Sequence, residues 1–336
     1  MSVKNITILI RKVTGTLLTT SAVLVFTLAA GCNNERAVEL YVDAVMYKEL
    51  DQDQKAVKKL QEAVTLNDKF FMAHSMLGRL HQEQQNYPAS AGYYSSAARL
   101  NPWSFDDFFH LGEVYQIMKK YRSAVQAYNR ACALKPEHLE SHINNTKCYY
   151  ELRDYDKALV YGQKAEDLDP NAAEVVQIMG DIYEERKDYD SAVNSYKRAL
   201  ELDSENTEIM TSLAVAYLKT NRESSARELL EAVTQLEPEN SDAFQYLGYC
   251  YLQLKDIDNA LINYGKAIEI NSDDWQSYRG LGVAYILKAL KNDGDQTMKA
   301  KAIKHWQHSL SIKPDQPRRK RLLRLIRKYS GNNELI

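Results

Sequence analysis

Residues 105–138, FDDFFHLGEVYQIMKKYRSAVQAYNRACALKPEH, carry the pattern that decides the fold. Apolar residues recur there at steps of three and four: Phe108, Leu111, Gly112 and Tyr115, then Tyr121, Ala124, Tyr128 and Ala131. Such steps place side chains on one face of a helix. The stretch therefore predicts two short amphipathic helices with a polar turn between them.

The same residue types return every 34 residues along most of the chain. Eight repeats begin at Ala37, Phe71, Phe105, Leu139, Ala173, Thr207, Ser241 and Trp275. Counted from these starts, position 8 is usually glycine, positions 20 and 27 are usually alanine, and position 32 is often proline. Small residues suit a close crossing of two helices, and proline suits the end of a helix. A repeated unit of this kind predicts a binding scaffold and carries no catalytic chemistry by itself.

This pattern resembles the tetratricopeptide repeat family over residues 37–316. The resemblance implies an all-α fold, a right-handed α-solenoid of about eight antiparallel helix pairs. It also implies that the first helix of each pair lines a concave groove in which a protein or peptide binds. Because a solenoid grows by adding repeats, we expect one elongated domain and no second core.

Three repeats depart from the pattern. Repeat one has Asp43 where leucine is usual, which suits an end repeat with a solvated face. Repeat four has Asn145, Thr146 and Gly162 where leucine, glycine and an aromatic residue are expected, so we expect it to be the softest repeat. Repeat eight is enlarged by eight residues around 292–295, which favours a longer helix pair with a solvated turn.

Residues 1–31 have the order of a signal peptide: basic residues, a mildly apolar stretch, and LAAGC at 28–32. This end resembles the lipobox of bacterial lipoproteins, which implies cleavage, acylation of Cys32 with palmitate or a similar chain, and a short tether at 32–36. Cleavage without a lipid and an uncleaved anchor are the alternatives, although five threonines make the stretch a poor permanent span. Asn33 follows the cysteine, where the usual signal for retention in the inner membrane is an aspartate. We therefore expect the protein to lie at the periplasmic face of the outer membrane.

Catalytic and metal-binding motifs are not evident. The sequence has no phosphate-binding glycine loop, Cys-x-x-Cys pair or nucleophile motif. Two histidine pairs have the spacing of metal ligands on a helix: His138 with His142, and His305 with His308. His142 replaces a core aromatic residue, as His74 and His81 do, so we predict no metal site. Because no catalytic motif is present, we also predict no cofactor and no enzymatic activity. Cys132 and Cys148 fall on neighbouring helices, so the sequence is compatible either with a disulfide between them or with buried free thiols.

The groove is the remaining candidate site. Helical spacing places positions 2, 5, 9 and 12 of each first helix opposite its packed face. These positions are acidic in repeat five and more apolar in repeats six to eight, and apolar residues that packing does not require indicate a binding site. We predict a peptide-binding site at Asp181, Glu184, Val215, Leu218, Tyr249, Leu252, Arg279, Val283 and Ile286. Contact of these residues with one another or with the C-terminal helix is the alternative.

The C-terminal segment, residues 317–336, is basic. Seven Lys or Arg residues and no acid lie between Pro317 and Tyr329, whereas residues 32–316 carry more acidic than basic side chains. Apolar residues at helical spacing predict an amphipathic helix that caps repeat eight. A second interpretation adds contact with an anionic lipid, cell-wall polymer or acidic protein through Arg318, Arg319, Lys320, Arg321 and Arg324. The exported location disfavours nucleic acid as a partner.

Three function classes follow. The first is a tethered adaptor that assists assembly of an envelope complex, similar in general plan to the tetratricopeptide lipoproteins that act as pilotins for type IV pilus secretins. The second is a scaffold for peptidoglycan, polysaccharide or export machinery. The third is a regulatory subunit of an envelope enzyme such as a glycosyl transferase, although the repeats leave no residues for a catalytic domain.

Overall fold

The computed structural model describes residues 32–330, which form seventeen α-helices and, within that range, no strand. The predicted signal peptide and residues 331–336 lie outside the described residues. The helices are α1 (Cys32–Glu49), α2 (Asp53–Leu66), α3 (Phe71–Glu83), α4 (Tyr87–Leu100), α5 (Phe105–Ile117), α6 (Tyr121–Leu134), α7 (Leu139–Glu151), α8 (Tyr155–Leu168), α9 (Ala173–Glu185), α10 (Tyr189–Leu202), α11 (Thr207–Lys219), α12 (Glu223–Leu236), α13 (Ser241–Gln253), α14 (Ile257–Ile270), α15 (Trp275–Lys291), α16 (Gln296–Ile312) and α17 (Arg319–Ser330).

Contacts divide the chain into an N-terminal unit, Met1–Leu168, and a C-terminal unit, Asp169–Ile336. The described part of the first contains α1–α8, and that of the second contains α9–α17. Within each unit every helix packs on the next one along the chain, and short turns make paired helices antiparallel. The predicted class, an all-α solenoid of helix pairs with a terminal helix, is confirmed. The single elongated domain stays a prediction.

The helices follow the 34-residue period closely. In repeats two to eight, the first helix begins at the residue that starts the repeat in the sequence, from Phe71 to Trp275. The exception is α1, which begins at Cys32 and not at Ala37, so the predicted tether at 32–36 is helical. No glycine or proline interrupts this stretch, and the first turns lead directly to Ala37 and Leu40, which are buried in the core.

Each helix pair turns at a residue in the left-handed conformation. Position 15 of repeats one to seven has φ between 54° and 65°, and none of these residues is glycine: Asp51, Gln85, Lys119, Arg153, Lys187, Asn221 and Lys255. The next N–H donates back to the carbonyl at position 11, as in Asn86 N to His81 O at 2.8 Å. This hydrogen bond closes a Schellman motif, which ends the first helix and fixes the direction of the second.

A glycine and an aromatic ring share the space between the two helices of most repeats. A Cβ added to Gly78 would lie 2.7 Å from the Tyr94 ring, and one added to Gly180 would lie 2.6 Å from the Tyr196 ring. The same pairing of positions 8 and 24 joins Gly112 with Tyr128, Gly248 with Tyr264 and Gly282 with Trp306. Position 8 is therefore small because a ring fills the space beside it, which is more specific than the close crossing expected from the sequence.

Repeats without glycine at position 8 have a smaller partner at position 24. Ala44 occurs with Leu60 in one buried cluster, and Ala214 occurs with Leu230 in another. Repeat four reverses the sizes, with Thr146 at position 8 and Gly162 at position 24. The two positions are thus complementary in volume along the chain, as close packing requires.

The C-terminal helix closes repeat eight. Both helices of this repeat are 17 residues long, so the additional residues lengthen the pair, and Gly294 (φ 81°) lies in the turn. Leu322 and Ile326 of α17 are buried in one cluster with Ile286 and Trp306. This apolar contact makes α17 the capping helix that the sequence predicted.

Candidate functional site

The predicted groove residues lie on α9, α11, α13 and α15, the first helices of the repeats in the C-terminal unit. Each of these helices contacts the next, α9 with α11, α11 with α13, and α13 with α15. Positions 2, 5, 9 and 12 of neighbouring repeats are therefore adjacent on one surface. We call this row of residues the first-helix surface.

The centre of the first-helix surface is apolar. Val215, Leu218 and Leu252 are half-buried, and Tyr249 is 41% exposed. Leu218 packs against the cluster that contains Leu247, so it also supports the contact between repeats six and seven. Leu252 packs beside Tyr264 and Leu281 in the same way. Tyr249 is therefore the apolar residue of this surface with the most area free for a ligand.

The C-terminal end of the predicted groove is covered by α17. Ile286 is only 6% exposed because it packs against Leu322 and Ile326, and Val283 contacts the same cluster. A ligand has no access to Ile286 while α17 is in place. We therefore remove Ile286 from the candidate site, and Val283 marks its edge.

Arg279 holds the segment that leads into α17. Its Nη1 donates to the Pro317 carbonyl oxygen at 3.3 Å, and its guanidinium lies 5.0 Å from the centre of the Trp275 ring. Burial lowers the pKa of Arg279 from its usual value. These contacts give the side chain a structural role at the edge of the first-helix surface.

The opposite end of the surface is acidic. The Tyr196 hydroxyl lies 2.7 Å from Asp181 Oδ1 and 3.2 Å from Glu184 Oε2. A hydroxyl has one proton, so it cannot donate to both carboxylates at full strength. Burial, with a smaller contribution from neighbouring carboxylates such as Glu184 and Glu208, raises the pKa of Asp181 to about 6. This end of the surface favours a positively charged ligand group.

The basic tail lies on the exposed side of the capping helix. Arg318, Arg319, Lys320, Arg321 and Arg324 are all exposed. The predicted lipid site, Cys32, is the first residue of α1, and its side chain lies outside the part of the chain that the structure describes. Among the described helices, none is both long and apolar enough to cross a bilayer.

His81 and His142 occupy positions where other repeats have aromatic residues. His142 Nε2 lies 2.8 Å from the Pro136 carbonyl oxygen, and its ring is 5.9 Å from Tyr161. His81 stacks on Tyr93 at 5.3 Å. Between residues 34 and 330, His, Cys, Asp and Glu side chains form no cluster of three suited to a metal ion. These histidines therefore serve packing and backbone hydrogen bonding.

Cys132, Cys148 and Cys250 are buried free thiols, so Cys132 and Cys148 form no disulfide in this structure. Burial raises the pKa of Cys132 to about 11 and the pKa values of the other two to about 12. Thiols with such pKa values are poor nucleophiles at neutral pH. They act as small packing residues.

Tyr196, which links the acidic residues to the core, was not predicted from the sequence. A signal was available, because each glycine at position 8 occurs with an aromatic residue at position 24 of the same repeat. That pattern places the Tyr196 ring against Gly180. From there its hydroxyl reaches the first-helix surface.

Two family models for the tetratricopeptide repeat match parts of this chain. One matches residues 183–245, and the other matches residues 108–138 and 241–274. The chain therefore contains tetratricopeptide repeats. No curated protein matches it in sequence.

Solved structures of tetratricopeptide proteins share the fold. The TPR protein YrrB, described as having an unusual peptide-binding site, is 20% identical with a TM-score of 0.51, over 62% of this chain and 100% of its own. PilF of Pseudomonas aeruginosa is 18% identical with a TM-score of 0.51, over 62% and 96%. A tetratricopeptide repeat protein from Parabacteroides merdae is 15% identical with a TM-score of 0.51, over 74% and 99%. Identities this low show the common fold and nothing about ligands.

Proposed function

We propose that this chain, which contains tetratricopeptide repeats, is a non-catalytic scaffold that binds a peptide or protein segment on the first-helix surface of its C-terminal unit. Tetratricopeptide repeats are generally non-catalytic and typically bind proteins or peptides. The observation that carries the proposal is the exposure of Tyr249 on a packed row of first helices, between half-buried apolar neighbours. An apolar side chain exposed on such a face contributes little to folding, so its position favours contact with a ligand.

The ligand is a segment with both apolar and basic residues. Apolar anchors contact Val215, Leu218, Tyr249 and Leu252, which form the centre of the surface. Basic residues of the ligand lie towards Asp181, where a cation relieves two carboxylates that share one hydroxyl donor. Exposed acids at position 2 of three successive repeats extend this charge along the surface: Glu174, Glu208 and Asp242.

The proposed location is the bacterial cell envelope, at the periplasmic face of the outer membrane. The support is the signal-peptide order of residues 1–31 and the lipobox-like LAAGC that ends at Cys32. Because α1 begins at Cys32, an acyl chain there would be joined to the first helix without a flexible linker. In this location the scaffold assists assembly of an envelope complex.

The envelope proposal is tested by acyl labelling in a bacterial host. The parent chain incorporates labelled palmitate and sediments with membranes, and Cys32→Ser loses the label and appears in the soluble fraction. A Cys132→Ser variant, which changes a buried thiol of the repeats, keeps the label. An unlabelled parent chain, or a labelled Cys32→Ser variant, would refute acylation at this residue.

The binding proposal is tested with a displayed library of random dodecapeptides. The parent protein enriches peptides that combine aliphatic or aromatic residues with Lys or Arg. Tyr249→Asp abolishes this enrichment, whereas Ile262→Asp, at a 55% exposed apolar residue of α14 in the same repeat, leaves it intact. Both variants keep the parent circular dichroism. Equal enrichment by the Tyr249 variant and the parent would place the binding surface elsewhere.

A further inference from the structure

The capping helix α17 has two opposite faces. Leu322 and Ile326 are buried against repeat eight. At 100° per residue, five basic residues fall on the far side, and all are exposed: Lys320, Arg321, Arg324, Arg327 and Lys328. We call these five residues the cationic face. The cationic face runs from Lys320 to Lys328, eight helical steps, so it extends along roughly 12 Å.

Capping does not account for the cationic face. The first turn of α17 contains Arg319, Lys320 and Arg321 and no acid, although the positive end of the helix dipole favours acids there. Lys320, Arg324 and Lys328 also follow one another at four-residue steps, which brings like charges together. Between residues 34 and 330, Lys320, Arg321 and Arg324 form no ion pair. The basic residues of the first turn therefore lower the stability of the helix, whereas Arg327 and Lys328 lie in its last turn, where the dipole favours cations.

We propose that the cationic face binds the surface of a bilayer that contains anionic lipid. The apolar face is buried against the repeats, so α17 binds at the surface without inserting into the bilayer. The long basic side chains extend from the convex side of one helix, which cannot enclose a peptide as a groove does. The surface of an anionic bilayer can contact several of these basic side chains at once. Each Lys or Arg near such a surface strengthens binding about fivefold.

This proposal is independent of the groove. The cationic face lies opposite the residues of α17 that contact Ile286 and Trp306, and none of its residues belongs to the first-helix surface. Loss of bilayer binding therefore leaves peptide enrichment unchanged. Loss of peptide enrichment likewise leaves bilayer binding unchanged.

The experiment measures sedimentation of the full chain with vesicles of phosphatidylcholine alone or mixed with phosphatidylglycerol. The N-terminal apolar stretch is the same in every variant, so the difference between the two vesicle types isolates the charge effect. Lys320→Gln, Arg321→Gln and Arg324→Gln together weaken binding to the anionic vesicles by roughly 100-fold. Raised salt releases the parent chain from these vesicles.

The matched control removes three exposed basic residues elsewhere: Lys58→Gln, Arg122→Gln and Lys197→Gln. This control has the same net charge as the α17 variant and binds like the parent chain. Thermal unfolding shows whether weaker binding results from loss of structure. The α17 variant should melt at or above the temperature of the parent chain, because like charges have been removed from its helix.

Three results would overturn the proposal. Equal weakening by the control would show a general charge effect. Equal binding of the parent chain to both vesicle types would show that anionic lipid is not recognised. Release of the chain by soluble polyglutamate, at a charge concentration below that of the lipid, would identify an acidic polymer or protein as the occupant.

Discussion

Gly78 and Tyr94 show how single residues determine the packing of a repeat. The Tyr94 ring lies where a Cβ on residue 78 would be, and only 1% of this tyrosine is exposed. Its hydroxyl has no hydrogen-bond partner in the described part of the chain. Tyr94 therefore contributes through the volume of its ring, which makes the pair suitable for a test of volume complementarity.

We expect Gly78→Ala to destabilise the protein by about 1–2 kcal/mol, because overpacking of about 1–3 kcal/mol exceeds the gain in helix propensity. The double variant Gly78→Ala/Tyr94→Leu recovers most of this loss, because alanine with leucine is the pair found in repeats one and six. Urea unfolding measures both. Gly92→Ala is the control, because nothing lies within 4 Å of its added Cβ, and we expect it to stabilise. A double variant no more stable than Gly78→Ala would contradict the pairing.

Asp181 makes stability depend on pH. In the folded state its pKa is raised from the ordinary 3.8 to about 6, so the unfolded chain loses this proton at lower pH than the folded one. The contribution of Asp181 to the stability of the folded state is therefore greatest below pH 3.8 and is lost as pH rises from 3.8 to about 6. We expect Asp181→Asn to remove this loss and to raise the melting temperature at pH 7.

The measurement is the melting temperature of the parent and the variant from pH 4 to pH 7. Glu201→Gln, at an exposed residue of α10, serves as control and should follow the parent curve. Parallel curves for the parent and Asp181→Asn would show that the carboxyl titrates alike in the folded and unfolded states.

At the scale of the element, the turn between the paired helices of repeats one to seven has a left-handed residue that is not glycine. Lys187 has φ 63°, a conformation that disfavours residues with a Cβ, and a helix termination of this type usually has glycine there. The hydrogen bond from Asp188 N to Tyr183 O, 2.9 Å, maintains the turn. Each repeat therefore stores a small amount of strain at position 15.

We expect Lys187→Gly to stabilise the protein by about 0.5–1 kcal/mol, because relief of strain exceeds the added entropy of the unfolded chain. Lys197→Gly, in the middle of α10 of the same repeat, should destabilise by about 1 kcal/mol. Chemical unfolding of the two variants provides the comparison. Equal destabilisation by both would show that position 15 carries no strain.

The sequence predicted the helices well because the period is long and repeated. The spacing of apolar residues located the starts of seven first helices, including Phe71 and Trp275. It did not reveal the left-handed residue at position 15, because Asp, Gln, Lys, Arg and Asn all occur there. Conformation at this point is determined by the turn and not by residue type.

The candidate site was predictable only in part. Helical spacing correctly placed Val215, Leu218 and Tyr249 on the first helices, but it placed Ile286 there too, and α17 covers that residue. Which surface a terminal helix covers depends on contacts distant in sequence. The link from Asp181 to Tyr196 lies within one repeat and could have been inferred from the pairing of positions 8 and 24.

At the scale of the whole molecule, we expect stability to differ among the repeats. Repeat four buries Asn145 and Thr146 where other repeats have apolar or small residues. An open surface pocket of about 380 Å³ lies beside it, lined by residues that include Cys132, His142 and Tyr161. Buried Asn145 Oδ1 has no hydrogen-bond partner within the described chain. Each feature weakens local packing.

We therefore expect hydrogen exchange to be faster in α7 and α8 than in α5 and α6 of the same unit. The double variant Thr146→Gly/Gly162→Tyr, which installs the pair of sizes found in repeat three, should slow exchange in α7 and α8. Gly162→Tyr alone should not, because Thr146 leaves no room for the ring. Faster exchange in α5 and α6 than in repeat four would refute the expectation.

The pairing of positions 8 and 24 determines where this gene can be cut and rejoined. A breakpoint between repeats keeps both members of a pair on one fragment, so this pair is preserved when whole repeats are duplicated or exchanged. A breakpoint inside a repeat combines a glycine from one copy with the position 24 residue of another, leaving either a void or an overlap. The boundary after repeat seven is more restrictive, because the Tyr264 ring also lies where a Cβ on Gly280 of repeat eight would be, so that position must remain glycine. Recombination should therefore be tolerated at the earlier boundaries, and repeats seven and eight should be inherited together.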